Sequence, residues 1–335
     1  MKKIVFFDAT EEDKNYFNDK LFGKCNLIFF DKSINNFKFN NDILDAEIIS
    51  CFTISQLNKQ ILEQFKNLEM IVLRCVGFNN IDIEYCKEKS IKVLNARGYG
   101  NRTVAEFVLG LIFDISRNIS KSFIDINKNI KEKNEYEGIE LKNKTLGVIG
   151  VGAIGAELVK MAYGLDMNIL GYDLYENEEL KNKCNLKYVE LDELIKMSDF
   201  ISIHTPLTKE NYHLINEEKF ELMKKNVIII NTSRGEIIDT NALYRALYLK
   251  KIKGAGLDVL ECEEETNDLN VIDMDYLDKW DIKQILLNHE ITKLDNVIVT
   301  PHIAYDTKEA KNRIRQITVE NIKSFLLGEI KNNVY

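Results

Sequence analysis

The segment Leu146–Gly155 constrains this chain more than any other stretch of it. The apolar run Leu146-Gly-Val-Ile149 reads as a buried strand and leads into Gly150-Val-Gly152-Ala-Ile-Gly155, with glycines in the spacing G-x-G-x-x-G. Ala156, Val159, Ala162 and Leu165 then follow at helical spacing. In a strand-to-helix turn each glycine has its own task. Gly150 permits the tight exit from the strand, Gly152 lets the backbone approach a pyrophosphate, and Gly155 lets the helix pack close to the sheet. The helix N-terminus offers unpaired N–H groups and partial positive charge to the phosphates. A second apolar run, Met167–Tyr172, ends at Asp173, 18 residues past Gly155; the acid that holds a ribose hydroxyl is expected at about 20. An aspartate there repels a 2′-phosphate, and Leu174 rather than a basic residue follows it. The expected cofactor is therefore NAD. A plain tight turn in some other doubly wound protein would not require the acid at the next strand end.

The motif sits in mid-chain, and the stretch in front of it calls for a second domain, which 335 residues accommodate. A hydrophobic content of 45% excludes a disordered chain. A net charge of −8 gives no electrostatic case for nucleic acid or an anionic membrane surface. The N-terminal Ile4-Val-Phe-Phe7 is too short for a signal peptide and reads as a first strand, and no apolar run approaches the ~18 residues of a membrane span. The six cysteines form no C-x-x-C pair and no zinc spacing with histidine. They read as buried small hydrophobes in a reducing cytoplasm, with no metal expected.

Short apolar runs alternate with amphipathic stretches along the chain. Strands are expected at 4–7, 26–30, 46–50, 70–74 and 92–95, with helices at 16–21, 55–65 and 82–89. A dense apolar helix over 102–120 (Val104, Phe107, Val108, Leu111, Ile112, Ile115) suggests burial on more than one side, as a hinge or a contact between copies. Residues 127–143 read as a linker. Further strands are expected at 146–149, 168–172, 200–204, 227–231, 254–259 and 297–300, an acidic irregular insertion at 261–295, and a last helix at 308–327. This alternation predicts an α/β chain of two doubly wound parallel-sheet domains.

Four more motifs fall at expected strand ends, where open α/β sheets place ligands: His204-Thr-Pro-Leu-Thr208, Asn231-Thr-Ser-Arg-Gly235, Gly254-Ala-Gly-Leu-Asp258-Val-Leu-Glu-Cys-Glu263 and Thr300-Pro-His-Ile-Ala304. Both prolines of the chain lie inside them. The set resembles the D-isomer-specific 2-hydroxyacid dehydrogenases over about residues 70 to 325. The resemblance implies a Rossmann-type NAD domain, 101–300, and a flavodoxin-like substrate domain, 1–100 with 301–335, separated by a hinged cleft that closes to exclude water. It implies that Arg234 binds the substrate carboxylate and polarises its carbonyl, a task suited to a planar, permanently charged fork. His302 would be the general acid/base and Glu263 its carboxylate partner, favouring the imidazolium. Asp258 would lie near the nicotinamide end, Ala153 and Ile154 would place backbone N–H groups at the pyrophosphate, and Thr205, Pro206, Asn211, Thr232, Ser233 and Arg234 would line the rest of the cofactor cleft. Val76 and Gly77 would clamp the substrate carboxylate, and Phe52 and Tyr99 would surround its C3 group.

Other readings of these residues stand beside those. Glu263 lies in the run Glu261, Glu263, Glu264, Glu265, which could be a solvated acidic loop. Phe52, Tyr99 and Tyr305 could be core aromatics. His213 and His289 read as solvated, and His204 as shaping the cleft. Asp306 stands where the lactate branch of the family carries Tyr, and Phe52 where Tyr is common. The 44 residues from Asp258 to His302 exceed the short loop of glycerate and phosphoglycerate relatives. The resemblance thus implies reduction of a small 2-oxo acid, pyruvate first, by NADH in a cytoplasmic homo-oligomer, dimer or tetramer. The alternatives are a D-2-hydroxyisocaproate-type enzyme acting on larger 2-oxo acids, or a non-catalytic NAD-sensing protein.

Overall fold

The computed structural model describes residues 1–36, 41–128, 136–263 and 279–335. They form two compact units, 1–99 with 307–335 and 100–306. The first unit holds β1 (Lys2–Phe6), β2 (Cys25–Phe29), β3 (Ile48–Cys51), β4 (Met70–Leu73) and β5 (Lys92–Leu94), all parallel, in the order β2-β1-β3-β4-β5. Its central strands are continuous apolar runs because both sheet faces are covered. Val5, Ile49, Ile71 and Val93 pack one face against Leu57, Phe65 and Tyr85. Ile4, Phe6, Ile48 and Val72 pack the other against Phe17 and Leu21 of the helix Glu11–Leu21 and against Val319 and Ile322 of the helix Lys308–Leu326. Arg315 ties these two helices together, bonding Asp13 at 2.7 Å and Glu12 at 2.9 Å. The C-terminal helix therefore belongs to the first unit by burial. The strand order reverses between β1 and β3, which opens a crevice at their carboxyl ends.

The second unit holds β6 (Thr145–Ile149), β7 (Asn168–Tyr172), β8 (Lys187–Tyr188), β9 (Phe200–Ile203), β10 (Ile228–Asn231), β11 (Gly254–Leu257) and β12 (Val297–Val299). They are parallel in the order β12-β11-β10-β9-β6-β7-β8, with the reversal between β6 and β9. The helices Asn101–Arg117 and Ala153–Tyr163 cover one face and Leu191–Met197, Glu217–Leu222 and Thr240–Tyr248 the other. Both domains are thus doubly wound parallel α/β layers.

The structure departs from these expectations in several places. The helix expected through residue 120 stops at Asn118, which takes a left-handed φ of 53°, and a new helix runs over Ile119–Asn127. The helix expected over 55–65 shrinks to Lys59–Leu62, capped by Asn58. The insertion expected to be irregular contains the helix Lys279–Thr292. That helix buries polar residues, Gln284 and Asn288, beside Ile285 and Ile291, so its sequence shows no clear apolar stripe. Residues 301–306 go with the second unit rather than the first, held there by bonds to Asp258. No described helix is long and apolar enough to cross a membrane.

Candidate active site

The glycine turn lies at the reversal of the second sheet. Gly150 has a φ of +91°, and a Cβ on it would meet the carbonyl carbon of His204 and the amide of Thr205 at 2.8 Å. A Cβ on Gly155 would collide with the carbonyl oxygen of Gly150. The strand exit, the close of β9 and the new helix are thus packed at backbone contact, which only glycine allows. Gly152 faces open space and caps the helix without a side-chain acceptor, so the amides of Ala153 and Ile154 receive no side-chain cap. Asp173 closes β7 and reaches across: its Oδ2 accepts the Val151 N–H at 2.7 Å and its Oδ1 the Tyr175 N–H at 3.0 Å. Each oxygen keeps a further lone pair for a hydroxyl.

The neighbouring loops join this edge. Asn211 donates to the Pro206 carbonyl at 2.6 Å and accepts from the Thr208 amide at 2.7 Å. The Ser233 hydroxyl donates to the Thr205 carbonyl. The Thr232 hydroxyl is buried with no protein partner among the described residues. A bare helix N-terminus, an open glycine cradle, a strand-end acid and an orphaned hydroxyl fit a dinucleotide, with phosphates at the helix and a ribose at Asp173.

The acid–base candidates meet on the same sheet edge. His302 Nδ1 lies 2.7 Å from Glu263 Oε1, which leaves Nε2 to carry the exchangeable proton. The other Glu263 oxygen accepts the Leu260 amide at 3.3 Å. The bond from Glu263 raises the His302 pKa above its ordinary value, against burial and the nearby positive charge of Arg234. His302 itself sits in the left-handed region, φ 53°. Asp258 holds it there: its carbonyl accepts the His302 amide at 3.0 Å, and its carboxylate accepts the Thr300 hydroxyl at 2.6 Å and the Ile303 and Ala304 amides at 2.9 and 2.8 Å. Asp258 is 1% exposed, and burial raises its pKa. Its carboxylate, expected near a nicotinamide, is engaged in this turn.

Arg234 follows β10 on a loop shaped by Asn231, which is buried, accepts the Ser233 amide at 3.0 Å and donates to the Arg234 carbonyl at 2.8 Å. The guanidinium donates to the Ser233 carbonyl at 2.7 Å. An Asn at a strand end before a turn is the one sequence sign of this support.

In the first unit, the expected substrate residues gather at the carboxyl ends of β3 to β5. Asn95 donates to the Val76 carbonyl at 2.7 Å, and the Cys75 thiol donates to the Gly77 carbonyl at 3.1 Å. Phe52 is half-buried, and its amide donates to Asp8 at 2.9 Å. Tyr99 is buried, and its carbonyl accepts Arg313 at 2.6 Å. Sequence reasoning missed Arg74, which is buried and donates to the carbonyls of Phe7 and Asp8, both at 2.6 Å, pinning the ends of β1 and β4.

Two histidine readings are corrected. His213 is not solvated: its Nε2 lies 2.6 Å from Oε1 of the buried Glu261, and its ring stacks on Tyr212. His289 Nε2 is buried as well. Glu261, 1% exposed, is no part of a solvated loop, whereas Glu264 and Glu265 lie outside the described residues. His204 bonds Ser202 at 2.8 Å, and burial pushes its pKa down to about 4, so it stays neutral beside the cofactor edge.

Comparison with known proteins agrees with this geometry. Residues 109–304 match the family described as D-isomer specific 2-hydroxyacid dehydrogenase, NAD binding domain. A hydroxypyruvate reductase of Thermotoga maritima is 38% identical over 280 residues, 84% of this chain and 85% of that one. A D-3-phosphoglycerate dehydrogenase of Methanocaldococcus jannaschii is 38% identical over 335 residues; the match takes in all of this chain but spans only 59% of that protein's length. Among solved structures, D-lactate dehydrogenase from Aquifex aeolicus, complexed with NAD and lactic acid, superposes with a TM-score of 0.86 at 36% identity, over 99% of this chain and 98% of that one. The glycine turn with Asp173, the strand-end motifs and these matches agree, and the chain belongs to the D-isomer-specific 2-hydroxyacid dehydrogenases, NAD-dependent oxidoreductases.

Proposed function

We propose that the protein reduces a small 2-oxo acid, pyruvate before others, to the D-2-hydroxy acid. The observation that carries this reading is the His302–Glu263 pair at 2.7 Å on the edge that also bears Arg234 and the glycine turn. Bound NADH supplies hydride to the carbonyl carbon. Arg234 binds the substrate carboxylate and draws charge onto the carbonyl oxygen; His302 Nε2 delivers the proton to that oxygen, and Glu263 stabilises the imidazolium beforehand. Val76 and Gly77 serve the carboxylate, while Phe52 and Tyr99 limit the group at C3. The long span from Asp258 to His302 and the structural likeness to a D-lactate dehydrogenase support pyruvate. The likeness to a hydroxypyruvate reductase favours hydroxypyruvate as the second reading. The exposed Ile119, Phe123 and Ile126 on one helix support a homo-oligomer.

Rates of NADH oxidation with pyruvate, hydroxypyruvate, glyoxylate and 2-oxoisocaproate test the substrate. The highest kcat/KM is expected with pyruvate. A higher value with hydroxypyruvate would replace the first reading by the second, and NADH binding without turnover on any of them would leave a sensor.

The pH profile follows from the raised His302 pKa. Reduction needs the imidazolium, so activity is present below that pKa and is lost as pH rises through it. Removing the largest cause of the shift, with Glu263→Gln, should move the midpoint of the kcat/KM profile to lower pH. A midpoint that stays in place would dissociate Glu263 from the proton transfer.

A further inference from the structure

Two residues before Glu263 the chain buries a carboxylate that the reaction proposed above does not use. The Glu261 side chain is 0% exposed. Its Oε1 lies 2.6 Å from His213 Nε2, while its Oε2 accepts the Thr240 amide at 3.2 Å and the Thr240 hydroxyl. Its main-chain carbonyl accepts Asn288 Nδ2 at 2.7 Å. A buried carboxylate is tolerated only when its oxygens are met by donors, and here they are.

Those donors come from the segments that carry the rest of the site. Thr240 opens the helix Thr240–Tyr248, immediately after the stretch that follows Arg234. His213 is itself bound to that stretch, its amide donating to the Glu236 carbonyl at 2.8 Å. Gly235, next to Arg234, lies under the Leu260–Glu261 peptide, and a Cβ on it would collide with that peptide. Cys262, left-handed at φ 51°, then turns the chain, and Glu263 meets His302. The loop bearing Arg234 and the loop bearing Glu263 are thus pressed together at Gly235 and tied at Glu261.

We propose that Glu261 is a positioning residue: anchored by His213 and Thr240, it sets Glu263, and through it His302, against Arg234. The inference rests on reading His302 and Glu263 as the proton-transfer pair. Around the anchor stand Asp239, 3.9 Å from His213 Nδ1, with Glu236 and Tyr212. Around His302 stand Glu263, Asp258 and Arg234. Nothing in the chemistry requires Glu261 to touch substrate or NADH.

Glu261→Gln tests this. Gln removes the buried charge and replaces one accepting oxygen by an N–H donor, so either His213 must turn to accepting at Nε2 or Thr240 loses its acceptor. Turnover in the reductive direction, measured at saturating oxo acid, should fall about tenfold to a hundredfold, as small misplacements of reacting groups cause. The midpoint of the pH–rate profile should move down toward that of Glu263→Gln, while NADH affinity stays within about twofold. In the double variant Glu261→Gln/Glu263→Gln the loss should not exceed that of Glu263→Gln alone. Thr240→Val removes one donor and should move turnover and midpoint the same way by less, which keeps the test open where Glu261→Gln fails to fold. An unmoved midpoint with turnover within about twofold in either folded variant, or losses that multiply in the double variant, would overturn the proposal. Failure of the proton-transfer reading itself registers on a different protein, as full turnover by His302→Gln.

Discussion

His302→Gln will bind NADH and reduce the oxo acid about 10²- to 10⁴-fold more slowly, the range expected when a positioned general acid is removed. The residue is well placed for so large an effect. Nδ1 is committed to Glu263 at 2.7 Å, so the ring is fixed in orientation and only Nε2 remains to deliver a proton. The ring hangs on a left-handed main chain held by four bonds to Asp258. A non-glycine residue kept in that region is strained, and such strain persists only where the surroundings impose it. Gln fits the space and can meet Glu263 through its amide N–H, but it cannot act as an acid near neutral pH. The measurement is steady-state reduction of the preferred oxo acid, with NADH binding followed separately by fluorescence titration. Turnover within a few-fold of the parent would remove His302 from the chemistry.

Arg234→Gln will cut kcat/KM by about 10²- to 10³-fold, the scale for losing a charged donor aimed at a developing oxyanion. Here the KM for the oxo acid rises while kcat falls, because the same guanidinium meets the ground-state carboxylate and the carbonyl. Arg234→Lys should recover little, since an ammonium keeps the charge but not the fork that serves two groups at once. The loop is built to hold this side chain: Asn231 bonds both sides of it, and the guanidinium is steadied on the Ser233 carbonyl. Loss confined to KM, with kcat intact, would reduce Arg234 to a carboxylate anchor and shift carbonyl polarisation to another donor.

The glycine turn, Asp173 and the two parallel sheets were legible because each leaves a short-range mark. Gly150 and Gly155 stand where neighbouring backbone leaves no room for a Cβ, so the residue type itself reports the contact. Strands buried on both faces must be apolar runs, and Ile228-Ile-Ile230 is visible for that reason. The helix Lys279–Thr292 left no such mark, because Gln284 and Asn288 occupy its buried side. Other features joined residues that the chain keeps far apart. His213 meets Glu261 across 48 positions, and Asp258 meets the His302 turn across more than 40. Neither His213 nor Glu261 is distinguishable in sequence from an ordinary surface histidine or acid, and the motif holding Asp258 carries no sign of its bonds to the His302 turn.

By itself, the sequence determined the cofactor class and the two-domain, doubly wound parallel architecture, since turn sterics and burial periodicity act over a few residues. The tertiary structure decided which acid is buried and which is paired. Glu261 and Glu263 are two positions apart in one acidic run, yet one is enclosed by Thr240 and His213 and the other reaches His302. The burial of Glu261 depends on desolvation and donors supplied by distant segments, which no local pattern encodes, whereas the resemblance already implied the Glu263–His302 pair.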